Sequence, residues 1–299
     1  MTPDDITKSS IAPTVAGALA EDVGDGDLTA ALIDADEIVG ATIIAREALV
    51  LAGAPWADEV FRQLDDSIII DWYVGDGGHA EPNDVICKLV GPARALLTGE
   101  RTALNFLQTL SATATTTAKF VKAIEGTGAR ILDTRKTLPG LRLAQKYAVT
   151  CGGGHNHRVG LFDAILIKEN HIKAAGSITT ALERARALDA GVLVEIEVEN
   201  HDEMLEALDA GAERILLDNF SIDELEKAVA TNRGYGYLKA ELEASGNVTL
   251  ATVRDIAATG VDFISTGALT KNVAAIDLSL LFRIDQATAR VTRFGSETP

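Results

Sequence analysis

GVLVEIEVENHDEMLEALDAGAERILLDNF, residues 191–220, contains one complete repeat of the pattern that decides the fold. GVLVEIEVEN (191–200) is β-rich and ends in polar residues, and HDEMLEALDAGA (201–212) then spaces its apolar residues by three and four. ERILLDNF (213–220) is a second apolar run that again ends in polar residues. Strand, amphipathic helix, strand is a βαβ unit, which pairs its strands in parallel.

The same alternation runs through the second half of the chain. Further strand candidates are ARILDTRK (129–136), FDAILIKEN (162–170), YLKAELEASGN (237–247) and VDFISTGA (261–268). SITTALERARALDA and SIDELEKAVA read as intervening helices, and Ser221 three residues before Glu224 forms a capping-box signature. Near-continuous apolar strands alternating with helices predict a parallel sheet covered on its outside. A doubly wound sheet would carry a glycine-rich fingerprint after its first strand, and none is present. Arg135, Lys136, Lys168, Glu197, Asp218, Ser245 and Gly267 all fall at or just past strand C-termini. In an α/β barrel those ends converge on one mouth. The expectation is therefore an incomplete TIM-like α/β barrel with six visible units.

Residues 1–110 break the pattern. GATIIAR, SIIIDWYV, DVICKLVG and ARALLTG read as short extended segments among turn signals, which predicts a smaller α+β domain with an antiparallel sheet. RTALNFLQTLSATATTTAKFVKAIEG (101–126) is a long helical segment. The expected domains are 1–112 and 113–277. The tail after Gly267 has helical character, and its part from about 278–299 is able to pack with the first domain.

Charge points to the ligand. The chain has 27 Lys plus Arg against 44 Asp plus Glu, a net charge of −17. Residues 130–173 reverse this, with Arg130, Arg135, Lys136, Arg142, Lys146, Arg158, Lys168 and Lys173 against Asp133, Asp163 and Glu169. A cationic pocket on an anionic protein attracts small anions, while the overall field repels nucleic acid and anionic membranes. The predicted partner is a small, multiply charged anion. No apolar run approaches the ~18 residues of a bilayer span. MTPDDITKSS does not read as a secretory signal, and two distant cysteines suit a reducing compartment, so a cytoplasmic location is expected.

Individual motifs are less decisive. Cys151, His155 and His157 have C-x3-H-x-H spacing, but no fourth zinc ligand is evident and Arg158 adjoins them. Gly152-Gly153-Gly154 permits close backbone approach yet matches no phosphate-binding fingerprint. Glu195, Glu197 and Glu199 share one strand face, and which of them enters the mouth depends on where the strand ends. Ser245-Gly246-Asn247 and Thr266-Gly267-Ala268 follow the last two strands, where barrels often bind phosphate. Arg142 and Lys146, four apart on a helical segment, are expected to face outward.

GERTALNFLQTLSATAT, LDTRKTLPGLRLAQKYAVTCGGGHNHRVGLFDAILIKENHI, VEIEVEN, ILLDNF, LEASGN and FISTGALT, in this order, resemble quinolinate phosphoribosyltransferases nearly end to end. The resemblance implies an N-terminal α/β sandwich domain, an incomplete α/β barrel and a homodimer with its sites at the subunit interface. It implies a pentosyltransferase of de novo NAD biosynthesis. That enzyme takes quinolinate, phosphoribosyl pyrophosphate (PRPP) and Mg²⁺ to nicotinate mononucleotide, pyrophosphate and CO₂. Carried onto this chain, Thr134, Arg135, Lys136, His157, Arg158 and Lys168 would recognise quinolinate, with Arg101 reaching in from the partner subunit. Glu197 and Asp218 would hold the ribose and the Mg²⁺ of PRPP, or stabilise an oxocarbenium-like transition state. Ser245, Gly246, Asn247, Thr266, Gly267 and Ala268 would take the 5-phosphate. Lys136, Lys168, Glu197 and Asp218 would be the catalytic set. The rivals are a Schiff-base aldolase with Lys168 as its amine, a phosphoribosyltransferase for another aromatic acid, and a non-catalytic anion binder.

Overall fold

The computed structural model describes residues 1–236 and 239–283, which divide into two compact units. The first comprises Met1–Ala114 with residues 274–283, and the second is Thr115–Val273.

In the first unit, α1 (Asp5–Val23) is capped by Asp4, whose carboxylate accepts the Thr7 N–H at 2.8 Å. It is followed by β1 (Ile38–Ala45), β2 (Leu49–Val50), α2 (Ala54–Leu64), β3 (Ile69–Trp72), β4 (His79–Ala80) and β5 (Val85–Pro92). The long α3 (Ala93–Ala123) comes next; its residues from Thr115 onward belong to the second unit. ARALLTG is therefore the start of this helix and not an extended segment. Ala, Arg and Leu are strong helix formers, and Leu96 is completely buried.

The antiparallel sheet runs β12-β1-β5-β3, where β12 is Leu278–Arg283. Ala45 pairs with Leu278 and Gly40 with Arg283. Among the described residues after Gly267, helix is found in the short α10 (Ala268–Lys271), and residues 278–283 form a strand. Their Leu-Ser-Leu-Leu-Phe sequence buries Leu278 and Leu280 on one face, a period of two. The rest of the tail lies outside the described residues.

The second unit is built from a parallel six-stranded sheet, ordered β6-β11-β10-β9-β8-β7. In chain order its elements begin with β6 (Arg130–Leu132), α4 (Arg142–Cys151), β7 (Ala164–Ile167), α5 (Glu169–Ala175), α6 (Ile178–Ala187) and β8 (Leu193–Val198). They continue with α7 (His201–Asp209), β9 (Arg214–Asp218), α8 (Ile222–Gly234), β10 (Glu241–Ser245), α9 (Val253–Ala258), β11 (Phe263–Ser265) and α10. Every strand expected between residues 129 and 268 is present, although Tyr237 and Leu238 of one run lie outside the described residues. α8 has the expected capping box: the Ser221 N–H donates to Glu224 at 2.7 Å and the Glu224 N–H to Ser221 Oγ at 3.4 Å.

Alternation along the strands sorts the side chains. Ile131, Ile167, Ile196, Val198, Ile215, Leu217, Leu242, Ala244 and Ile264 join helical residues such as Leu182, Met204 and Leu225 in the apolar core. The other strand face carries polar groups, among them Glu195, Glu197, Asp218, Glu243 and Ser265. At the base of that face Phe263 receives Arg130 and Arg214 at 5.0 and 4.3 Å from its ring centre. The barrel does not close: β6 and β7 are its two edges, and beside β6 the His155 segment makes a single parallel bridge to Leu132.

Candidate active site

The mouth is assembled from residues that follow short strands. β6 ends at Leu132, so Asp133, Thr134, Arg135 and Lys136 leave the sheet together. The Thr134 hydroxyl accepts the Lys136 N–H at 3.0 Å, and the Lys136 carbonyl accepts from Thr270 Oγ1 at 2.8 Å. Gly267 completes this corner. A Cβ there would stand 2.9 Å from Lys136 Cδ and 3.4 Å from Thr134 Oγ1, so glycine allows the Lys136 chain to cross the loop after β11.

Gly152–Gly154 acquires a structural reason. The run ends α4, with the Gly152 N–H bonded to the Ala148 carbonyl at 3.1 Å and Gly153 at φ +82°. A Cβ on Gly154 would lie 2.7 Å from Thr117 Cγ2 and 2.9 Å from Val149 Cγ1. The close approach is thus to the protein's own α3. It lets the chain double back beside β6, where the His155 N–H donates to the Ile131 carbonyl at 2.9 Å. His157 and Arg158 follow directly.

Arg158 is partly buried, and its Nη1 reaches the Ala164 carbonyl at 3.5 Å. Burial, and after it the positive charge of Arg135, push the Arg158 guanidinium below its ordinary pKa. Two guanidiniums are therefore held near one another, and the buried Nε of Arg135 has no hydrogen-bond partner. Lys168 is the N-cap of α5 and forms an ion pair with Glu197 across the ends of β7 and β8.

Strand β8 resolves the three-glutamate ambiguity. Glu195 is fully buried, Glu197 is partly buried beside Lys168, and Glu199 lies beyond the strand end and is exposed. On the next strand Asp218 is level with Ser245 and accepts from Asn219 Nδ2 at 2.8 Å. The turn after β10 is tightly wound, with Gly246 at φ +99° and Asn247 at +48°, and it packs on Asn219, which follows β9 and has φ +59°. A Cβ on Gly246 would run into the Asn219 side chain, so only glycine fits. Thr266 anchors the other turn, its Oγ1 accepting the Ala268 N–H at 3.2 Å.

His157 takes an inward position. Its Nδ1 accepts the Arg158 N–H at 2.8 Å, leaving Nε2 2.8 Å from Glu195 Oε2 and 3.6 Å from Glu243 Oε2. Both glutamates are fully buried, and none of the polar atoms meeting there has a well-formed hydrogen bond. Burial works against protonation of His157, but the two acids outweigh it and raise its pKa. Burial and the charge of Glu195 push Glu243 up to about 8, so it is the acid that keeps its proton at neutral pH. Cys151 is buried and His155 exposed, and the residues that gather with His157 are these two acids, not a cysteine–histidine zinc set.

Lys146 corrects an expectation. It does not face outward: it is 2% exposed and donates to Asp133 Oδ1 at 2.5 Å. Burial lifts Asp133 to about 6 and lowers Lys146, and in each the charge of the partner opposes the shift. Arg142 is also turned inward, reaching Thr137 Oγ1 at 3.2 Å and the Val159 carbonyl at 3.4 Å. α4 lies between the 137–141 turn and the 155–159 segment, so polar groups on its inner face serve both. A charge spacing of four cannot reveal that. Lys146, Asp133 and Glu243 were thus missed as site-supporting residues, and Glu195 was weighed only as a rival of Glu197 for the mouth. Their one sequence signal was charge inside otherwise apolar runs.

A half-open parallel barrel with cations and two acids around the strand C-termini, and paired glycine turns beside them, defines a receptor for polyanionic small molecules. Residues 113–281 match the quinolinate phosphoribosyl transferase C-terminal domain, and residues 27–111 match its N-terminal domain. A probable carboxylating nicotinate-nucleotide pyrophosphorylase of Bacillus subtilis is 41% identical over 261 residues, covering 87% of this chain and 89% of the relative. Its Synechocystis counterpart is 43% identical over 263 residues, covering 88% and 89%. The solved nicotinate-nucleotide pyrophosphorylase of Francisella tularensis superposes with a TM-score of 0.88 at 48% identity, covering 94% of this chain and all of that one. The chain belongs to the quinolinate phosphoribosyltransferase family.

Proposed function

We propose that this protein transfers the phosphoribosyl group of PRPP to the ring nitrogen of quinolinate with loss of CO₂, giving nicotinate mononucleotide and pyrophosphate for de novo NAD biosynthesis. The observation that carries this reading is the pair of neighbouring guanidiniums, Arg135 and Arg158, held in one mouth with Lys136 and Lys168. Unpaired like charges at one site suit a dianion with adjacent carboxylates, which guanidinium forks accept with two parallel hydrogen bonds.

Quinolinate carboxylates are received by Arg135, Arg158 and Lys168, with Lys136 and Thr134 at the β6 corner and Arg101 supplied by the partner subunit of a homodimer. Arg101 is exposed on α3, free to meet a second chain. Leu161 and Phe162, which precede β7, are 75% and 71% exposed and suit coverage by a partner. His157 supports Arg158 from below through the bond between its Nδ1 and the Arg158 N–H.

Mg²⁺ arrives with PRPP as part of that substrate. Glu197 and Asp218 fit it, because carboxylate oxygens are the hard donors Mg²⁺ prefers. They would also offset the positive charge that grows at the anomeric carbon in an oxocarbenium-like transition state. Lys168 pairs with Glu197; a bound carboxylate offers Lys168 another partner and frees Glu197 for the ribose. The turns 245–247 and 266–268 present backbone N–H groups to the 5-phosphate. No protein nucleophile is needed. The residues align the pyridine nitrogen with the anomeric carbon and offset charge, and the resulting pyridinium accepts the electrons released with CO₂.

A cytoplasmic setting suits Cys87 and Cys151, two buried cysteines outside any disulfide. Among the described residues no helix is long and apolar enough to cross a membrane. The test is to incubate the protein with PRPP, Mg²⁺ and quinolinate and to assay nicotinate mononucleotide and CO₂. Product from nicotinate but not from quinolinate would overturn the acceptor assignment.

A further inference from the structure

The mechanism makes no use of the most deeply buried ion pair in the barrel unit. Asp133 directly follows β6 and is 0% exposed; Lys146 sits in α4 and is 2% exposed. Replacing such a pair by neutral groups is often harmless to stability, so burial alone does not explain it. Its hydrogen bonds do. Asp133 Oδ1 accepts the His157 backbone N–H at 2.9 Å, and Lys146 Nζ donates to the His157 carbonyl at 2.9 Å. The peptide units on either side of His157 are each gripped by one member of the pair. With its amide turned to satisfy both ends, Asn156 adds bonds to Asp133 Oδ2 at 2.7 Å and to the Lys146 carbonyl at 2.9 Å.

The gripped segment is the one that presents Arg158. Arg158 is repelled by Arg135, and a long side chain would swing toward solvent if its backbone could follow. Elsewhere the segment is tied by the single bridge to β6 and by the Asp163 carboxylate, which accepts the Val159 and Gly160 N–H groups at 2.7 and 2.8 Å. Between those ties the backbone N–H and carbonyl of residue 157 are held by the Asp133–Lys146 pair, while its imidazole lies against Glu195.

We infer that Asp133 and Lys146 are positioning residues for the quinolinate pocket, clamping residues 156–157 so that Arg158 is held beside Arg135 before the dicarboxylate arrives. The inference rests on the proposed role of Arg158. It separates the two substrates, because the clamp touches the segment that carries Arg158 and not the 245–247 turn assigned to the 5-phosphate.

The experiment is steady-state kinetics and thermal unfolding of Lys146→Met and of the double variant Asp133→Asn/Lys146→Met. The double variant leaves no unpaired buried charge and keeps an acceptor for the His157 N–H, but it releases the His157 carbonyl. Loss of alignment by about 1 Å can cost on the order of 100-fold. The expected result is a folded double variant whose KM for quinolinate rises at least about tenfold, with KM for PRPP within about twofold of wild type. Equal rises in both KM values, an unchanged quinolinate KM, or a double variant that cannot fold would each overturn the inference, the last because the pair would then serve the fold. Wild-type protein that makes no nicotinate mononucleotide would instead sink the functional reading, before any variant is compared.

Discussion

His157 Nε2 lies 2.8 Å from Glu195 Oε2, one side-chain layer below Glu197 on the same strand. With Glu243 3.6 Å from the same nitrogen, two carboxylates share one imidazole where neither meets water. Such a cluster is tolerable only with a proton shared among the acids.

The shared proton makes stability depend on pH. Glu243 has an ordinary value of 4.5 and is raised to about 8 in the folded protein, so between these values the folded state binds more protons than the unfolded one. Its contribution is fully present below about pH 4.5 and is lost as pH rises through about 8. Glu243→Gln keeps a neutral hydrogen-bond donor facing Glu195 and removes that titration. Urea midpoints measured from pH 5 to 9 should fall more steeply for wild type than for Glu243→Gln. Parallel profiles would show that Glu243 is ionised throughout.

The turn after β10 yields a second prediction. Gly246 combines φ +99° with the Asn219 side chain where a Cβ would go, whereas the obstacle at Gly267 is mainly the flexible Lys136 chain. Gly246→Ala should therefore cost about 1–3 kcal/mol of backbone strain and raise KM for PRPP by about tenfold or more. Gly267→Ala should be milder in thermal stability. Equal stability loss in the two variants would contradict the assigned cause.

These two positions also mark what a reader of the sequence could see. The glycines at strand ends were visible as turns, and the βα alternation was visible because apolar periodicity records which face is buried. The inward pairing of Lys146 with Asp133 was not visible. A lysine at helical spacing looks solvated unless the segment packed over it is known, and that segment, 155–158, is irregular and carries no periodicity. ARALLTG misled for the opposite reason: its apolar density fits strand and helix alike, and only its continuity with residues 101–123 settles the matter.

Arg135 and Lys168 give a third prediction. Truncating one partner of a desolvated charge contact costs about 2–5 kcal/mol, which is about thirtyfold or more in affinity. Arg135→Ala and Lys168→Ala should each lower kcat/KM for quinolinate by at least that factor. Lys168→Ala also leaves Glu197 without its ion-pair partner, so it should change KM for PRPP as well, and Arg135→Ala should not. Near-normal quinolinate kinetics in both variants would mean that the cationic pocket is misassigned.

Arg101 provides the test of a shared site. If each site takes Arg101 from one subunit and Lys168 from the other, Arg101→Ala and Lys168→Ala homodimers are both impaired. In a mixed dimer of the two variants one site carries both wild-type residues, and the other carries neither. One of the two sites in each mixed dimer is intact, so the purified mixed dimer should show about half of wild-type activity, and an unsorted random mixture about one quarter. Coexpressing the two variants with different affinity tags, isolating the doubly tagged dimer and assaying it with quinolinate and PRPP measures this directly. Activity no higher than that of the separate variants would place Arg101 outside the partner's site and confine the chemistry to a single chain.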